Sequence, residues 1–256
     1  MLDLKIACLQ FDQAWENRSE NYRRINKFID SLEQVDILIL PEMFDTGFTM
    51  NVSVAQEFLE SDGLQFLLDL SKNTNACIIT SMMTRHGSKN YNRGVFLRPD
   101  GSFECYDKRK LFTMAGENKV YEAGKLPTIT EFKGWKINLQ ICYDLRFPEV
   151  SRNNDKVGNQ PYDLSIYVAN WPQKRIHHWD ALLKARSIEN QSYVIGLNRV
   201  GQDENGIIYN GRSSCYDANG TLMWQAKDNH EELHVFTLNY QDQILFRTSM
   251  PFLKDT

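Results

Sequence analysis

Short apolar runs recur along almost the whole chain, at residues 4–11, 36–40, 77–82, 95–98, 102–107, 135–141, 164–169 and 193–199. That recurrence limits the fold more than any other feature, because runs of this length and composition are strands. Helical patterns separate several of them. Residues 17–34 carry Tyr22, Ile25, Phe28, Ile29 and Leu32 at three- and four-residue spacing, residues 64–72 form a second pattern, and residues 176–191 set Trp179, Leu182, Leu183 and Ile188 along one side. Pro99-Asp100-Gly101 and Asp217-Ala218-Asn219-Gly220 are hairpin signals, so antiparallel neighbours join strands otherwise linked through helices, and mixed sheets are expected. Strands outnumber helices, so two sheets packed face to face with helices outside bury the apolar content better than one open sheet. The expected fold class is therefore α/β, two mixed sheets flanked by helices. Polar stretches at 151–160 and 201–210 read as surface loops. With no repeat, low-complexity tract or proline-rich linker, residues 1–256 are expected to form a single domain.

The apolar runs are far too short to span a bilayer, which argues against a membrane role. The first residues enter a strand pattern directly, with no basic region followed by a long apolar stretch. A net charge of −4 with scattered basic residues leaves no footprint for a phosphate backbone, so nucleic acid is not an expected partner. The five cysteines, Cys8, Cys77, Cys105, Cys142 and Cys215, are odd in number, widely spaced and without a Cys-x-x-Cys pair. Neither a disulfide framework nor a zinc knuckle fits, and a reducing cytoplasm is the expected setting. All but Cys142 read as core filler.

Three catalytic patterns fail. His230-Glu231-Glu232-Leu233-His234 matches the H-E-x-x-H zinc motif, but that chemistry needs a helix and the segment runs on as an alternating strand with no third ligand after it. No metal or other cofactor is expected. No glycine-rich phosphate loop occurs, and Gly-x-Ser-x-Gly is missing.

What survives is a set of reactive side chains at strand ends, where open α/β architectures bind ligands. Glu42 follows Leu40-Pro41 and enters an aromatic, glycine-containing loop; it is either a general base or a solvent-facing loop acid. Lys108, in Tyr106-Asp107-Lys108-Arg109, is either part of a basic turn or an ammonium able to favour a thiolate and an oxyanion. Cys142 ends the run 135–141 and is either a buried core thiol or a nucleophile. Tyr143-Asp144-Leu145-Arg146 directly after it is expected to start a helix, whose free N–H groups would stabilise an anion at the sulfur.

Pro41-Glu42, Tyr106-Asp107-Lys108 and Ile141-Cys142-Tyr143-Asp144-Leu145-Arg146-Phe147-Pro148-Glu149 together resemble the signatures of the nitrilase superfamily of carbon–nitrogen hydrolases, in the same order. The likeness extends to Ala169-Asn170-Trp171-Pro172 and Gly196-Leu197-Asn198-Arg199, and Met43-Phe44-Asp45-Thr46-Gly47-Phe48 is most similar to the omega-amidase branch. The resemblance implies a four-layer αββα sandwich, a homodimer, and a small amide and water as reactants. It implies hydrolysis of the terminal amide of a 2-oxo dicarboxylic acid monoamide, such as 2-oxoglutaramate or 2-oxosuccinamate, through a cysteine thioester. Glu42 is then the base, Lys108 the oxyanion stabiliser, Cys142 the nucleophile and Glu117 a supporting second glutamate, although Glu117 by itself looks like an exposed loop acid. Tyr143, through its backbone N–H, and Phe48, Phe112, Phe147 and Trp171, as aromatic walls, are expected around the substrate; Arg146 or Arg175 is expected to pair with its carboxylate, Arg146 being equally readable as a structural ion-pair residue. Other amidohydrolases of the family, acting on N-carbamoyl compounds, nitriles or deaminated peptides, and a non-catalytic binding protein on the same fold, are the alternatives. One position departs: the family usually has histidine two residues after its lysine, and Lys110 stands there.

Overall fold

The computed structural model describes residues 2–153 and 161–255. The first sheet takes β1 (Leu4–Gln10), β2 (Ile37–Ile39), β3 (Gln56–Glu57), β4 (Cys77–His86), β5 (Lys89–Leu97) and β6 (Phe103–Asp107). The second takes β7 (Ile129–Phe132), β8 (Trp135–Ile141), β9 (Leu164–Ala169) and β10 (Tyr193–Asn198). A separate hairpin of β11 (Val200–Gln202) and β12 (Ile208–Asn210) follows, before β13 (Ser214–Tyr216) and β14 (Leu222–Gln225) complete the second sheet. The last strand, β15 (Glu232–Leu238), returns to the first sheet antiparallel to β1. Both sheets are mixed as expected: β1, β2 and β4 are parallel and β4, β5 and β6 antiparallel, while β8, β9 and β10 are parallel between antiparallel outer strands. The helices are α1 (Arg18–Ile29), α2 (Asp62–Thr74), α3 (Glu117–Val120), α4 (Pro148–Ser151), α5 (Ile176–Asn190) and α6 (Tyr240–Ser249).

Side chains alternate across a strand, so each apolar run feeds two cores at once. Leu4, Ile6 and Cys8 of β1, Ile37 and Ile39 of β2, and Ile166, Val168, Ile195 and Leu197 of β9 and β10 share the core between the sheets. Their neighbours Ala7, Leu9 and Leu38 turn outward against Ile25 of α1 and Leu64, Leu67 and Leu70 of α2. On the far side Tyr167, Ala169 and Val194 meet Trp179 and Leu183 of α5. The layers are therefore helix, sheet, sheet, helix. At Gly196 a Cβ would lie 2.3 Å from a Leu183 methyl and 2.6 Å from the Trp179 ring, so α5 rests on β10 at a distance only glycine allows.

Several expectations shift in detail. The helix over 17–34 ends at Ile29, capped at its start by the Asn17 side chain on the Glu20 N–H, and Leu32 packs from a following turn. Residues 201–210 are the β11–β12 hairpin, held by Asp203, which accepts the Asn205 and Ile207 N–H groups at 2.9 Å and the Tyr209 hydroxyl at 2.9 Å. Of the loop expected at 151–160, residues 154–160 lie outside the described residues. His234 belongs to β15 and stacks on Trp224 at 4.7 Å, so the H-E-x-x-H segment has strand geometry. Cys8, Cys77 and Cys215 are buried, and Cys105 packs partly buried against the core beneath α1 and α2. Among the described residues no helix is long and apolar enough to cross a membrane.

Candidate active site

Because β5 runs antiparallel to both β4 and β6, β6 points the same way as β2 and β4, and the chain leaves β2 and β6 on one edge of the sheet. Glu42 lies just beyond β2 and Lys108 directly after β6. In the facing sheet Cys142 follows β8 and Asn170 follows the parallel neighbour β9. Strand direction alone thus brings two side chains from each sheet to the sandwich edges.

Lys108 Nζ lies 2.8 Å from Glu42 Oε1 and 3.0 Å from Glu117 Oε1, and all three side chains are fully shielded from solvent. Charges so deeply buried require complete hydrogen bonding as well as pairing. They have it. Asn92 of β5 donates to Glu42 Oε1 at 2.8 Å and to Glu117 Oε1 at 3.4 Å, the Asn170 N–H reaches Glu42 Oε2 at 2.8 Å, and the Phe112 N–H reaches Glu117 Oε2 at 2.5 Å. Burial opposes the charge on Lys108, but the carboxylates of Glu117 and Glu42 outweigh it and hold the ammonium above the ordinary lysine value.

Cys142 adopts a left-handed backbone, φ 43°, at the start of a tight 3-10 turn, Cys142–Arg146, ahead of the short α4. The expected α-helix start is thus a single turn: it offers free N–H groups, but without a long aligned dipole behind them. The sulfur faces the Asn170 carbonyl oxygen at 3.9 Å, so Asn170 touches both Cys142 and Glu42. Burial, then the Glu42 charge, pushes the thiol well above its usual value despite Lys108. At rest the sulfur is therefore protonated, and an attack needs a group to receive that proton.

Cys142 retains some exposure and lines a cavity of about 490 Å³. Tyr143, Phe48, Phe112, Arg146 and Trp171 all line the same cavity, with Arg175. Phe147 does not; it packs edge-on against Tyr143 at 5.1 Å, a supporting contact one layer back. The Arg146 guanidinium lies 4.6 Å over the Trp171 ring with both terminal nitrogens 3.2 Å from His178 Nδ1, and that of Arg175 lies 5.3 Å over Phe112. Among the described residues neither is paired with a carboxylate, so the ion-pair reading of Arg146 finds no partner. Burial, then the Arg175 charge, lowers the Arg146 pKa.

The structure therefore gathers the residues expected at the site with the exception of Phe147, which stands one layer back, and it includes Glu117, buried as the first residue of α3. Sequence reasoning passed over Asn92, which sits in a polar stretch of β5 without any signal. Asn170 could have been found, since it ends an apolar run as Glu42 and Cys142 do. Lys110 contributes its backbone N–H, 2.9 Å from Asp144 Oδ1, while its side chain pairs with Glu149 at 2.8 Å.

Residues 5–247 match the carbon-nitrogen hydrolase family. The omega-amidase YafV of Yersinia enterocolitica is 41% identical over 256 residues, covering 100% of this chain and 98% of that protein. A 2-oxoglutaramate amidase of Bacillus subtilis (strain 168) is 32% identical, with 98% and 96% covered. Among solved structures, a CN-hydrolase superfamily protein of Xanthomonas campestris with an arsenic adduct in its active site superposes with a TM-score of 0.96 at 33% identity, covering 100% of this chain and 98% of that one. Likeness of this extent, over a fold that brings thiol, ammonium and carboxylates together, makes the chain a member of the carbon-nitrogen hydrolase family within the nitrilase superfamily, and an amide-hydrolysing enzyme.

Proposed function

We propose that the enzyme hydrolyses the terminal amide of a small 2-oxo dicarboxylic acid monoamide, such as 2-oxoglutaramate or 2-oxosuccinamate, to the dicarboxylic acid and ammonia. One observation carries the reading: a single cavity holds the Cys142 thiol backed by a buried Glu–Lys–Glu cluster and, in the same wall, two guanidiniums that have no carboxylate partner among the described residues. The first half suits an amide carbonyl and the second a substrate carboxylate. The relatives named omega-amidase and 2-oxoglutaramate amidase support the same substrate class.

On this reading Glu42 accepts the Cys142 proton as sulfur attacks the carbonyl carbon, and the oxyanion that forms is held by Lys108 and the Tyr143 N–H. The tetrahedral centre collapses to a thioester as Glu42 returns the proton to the departing ammonia. Glu42 then takes a proton from water, hydroxide adds to the thioester, and the acid leaves as the sulfur is reprotonated. Glu117 holds Lys108 in place through its 3.0 Å contact. Phe48, Phe112 and Trp171 form the aromatic walls, and Arg146, aided by Arg175, receives the substrate carboxylate.

Ammonia release, measured across 2-oxoglutaramate, 2-oxosuccinamate, N-carbamoyl amino acids, a nitrile and a deaminated peptide, tests the reading. The two 2-oxo amides should give the highest kcat/KM, and intact mass during turnover should reveal an acyl adduct that Cys142→Ala abolishes together with activity. Normal ammonia release by Cys142→Ala, or faster turnover of the N-carbamoyl compounds, would refute it.

A further inference from the structure

Asp144 takes no part in the reaction just described, yet its carboxylate is completely buried and accepts hydrogen bonds from separate stretches of chain. Oδ2 accepts the Tyr106 hydroxyl of β6 at 2.8 Å and the Ile141 N–H at the end of β8 at 3.0 Å, and Oδ1 accepts the Lys110 N–H at 2.9 Å. Tyr106 and Lys110 stand two residues to either side of Lys108; Ile141 and Asp144 bracket Cys142. One carboxylate therefore ties the chain around the ammonium, which leaves the first sheet, to the chain around the sulfur, which leaves the second. It also braces a residue whose φ of 43° is unfavourable for a side chain bearing a Cβ.

We propose that Asp144 is a positioning residue: in its ionised form it fixes the Cys142 sulfur relative to Lys108, and turnover requires that form. The proposal rests on the roles given above to Cys142 and Lys108. All three contacts are donated to the carboxylate, and the Ile141 and Lys110 N–H groups can only donate, so an acceptor-only group satisfies all three at once. A neutral acid or an amide must instead turn its own hydrogen toward the Tyr106 hydroxyl, which then gives up its bond to Asp144 and is left with Gln140 Oε1 at 3.4 Å. The titratable groups facing it are Tyr106 from β6, Lys108 from the loop beyond and Tyr167 from β9, with Arg186 of α5 bonded to the adjacent Leu145 carbonyl. Burial pushes the Asp144 pKa up to about 6, against the pull of the Ile141 N–H, Lys108 and the Tyr106 hydroxyl. As pH falls through that value the carboxylate gains a proton and loses an acceptor, so activity is lost on the acid side and kept above it.

The test uses the full-length enzyme with 2-oxoglutaramate. Asp144→Asn should lower kcat by about a hundredfold, the effect of misplacing reacting groups by roughly an ångström, with KM within about threefold of wild type. Tyr106→Phe removes a donor that favours the ionised form, so the acid limb of its kcat profile should move up by roughly half to one pH unit. This second variant decides the matter even if the first fails to fold, because a purely structural loss lowers activity without moving the limb. An acid limb unmoved in Tyr106→Phe, or a kcat within about threefold of wild type in folded Asp144→Asn, overturns the proposal. If Cys142→Ala is inactive, that failure belongs to Asp144 alone; if Cys142→Ala is active, the reaction scheme itself fails.

Discussion

The ion cluster behind the cavity and the guanidinium wall inside it are charged regions built on opposite terms. Behind the cavity, Lys108 is held between Glu42 and Glu117, no part of the three is exposed, and every carboxylate oxygen has a donor. In the wall, Arg146 and Arg175 lie on the faces of Trp171 and Phe112, partly exposed, with no described carboxylate to neutralise them. Burial, then the nearby Arg175 charge, lowers the Arg146 pKa. The first arrangement is finished before substrate arrives, which is what a preorganised electrostatic site requires. The second is incomplete, and an arriving anion supplies what it lacks. Chemistry and recognition should therefore separate under mutation.

The largest expected effect tests the cluster. Glu42→Gln keeps the shape of the side chain but cannot accept a proton; loss of acid–base assistance, about 10²- to 10⁴-fold, should appear almost wholly in kcat, about 3 to 5 kcal/mol of barrier. Steady-state kinetics on the preferred 2-oxo amide would contradict the assignment if the loss fell in KM instead. Arg146→Met should do the reverse. Removing a charge-assisted hydrogen bond to a carboxylate costs about 1.5 to 3 kcal/mol, so KM should rise roughly ten- to a hundredfold while kcat stays within a few fold. A matched monoamide lacking the 2-oxo acid carboxylate sharpens the contrast, since it should be a poor substrate for wild type and no worse for the variant.

The same two regions differ in how far the sequence discloses them. Layers and sheets were legible because apolar runs and helical spacing report burial directly: Ile37 and Leu38 of β2 enter different cores, and both are simply hydrophobic. Glu42, Lys108 and Cys142 were legible because each ends such a run. The third partner of the cluster was not, since Glu117 is buried by a fold of the chain that brings Phe112 and Lys108 around it, and nothing in Gly116-Glu117-Asn118-Lys119 foretells that. Asn92 escaped for the same reason. Helix α6 escaped for another: Gln243 is its one buried residue, its side chain accepting the Tyr193 N–H at 3.0 Å, so the helix has almost no apolar stripe to read. The wall was legible as residue types, but whether Arg146 had a carboxylate partner depended on contacts across the turn at Cys142–Arg146 and α5.

The smallest expected effect concerns Lys110, where the family's usual histidine is missing. A side chain at that position matters to the cluster only if it reaches the cluster, and here it points away, paired with Glu149 and lying 4.6 Å over the Phe147 ring. Both partners of the ion pair are substantially exposed, 34% and 61%, and exposed pairs contribute little. What the position gives the site is a backbone N–H on Asp144, which any residue but proline supplies. Lys110→Ala should therefore leave kcat/KM within about twofold of wild type and the melting temperature within about 2 °C. Lys110→Pro should lose activity as Asp144→Asn does. If alanine proved as damaging as proline, the side chain rather than the amide would be acting on the cluster, and the boundary between a sealed catalytic interior and a tolerant surface would have to move inward past residue 110.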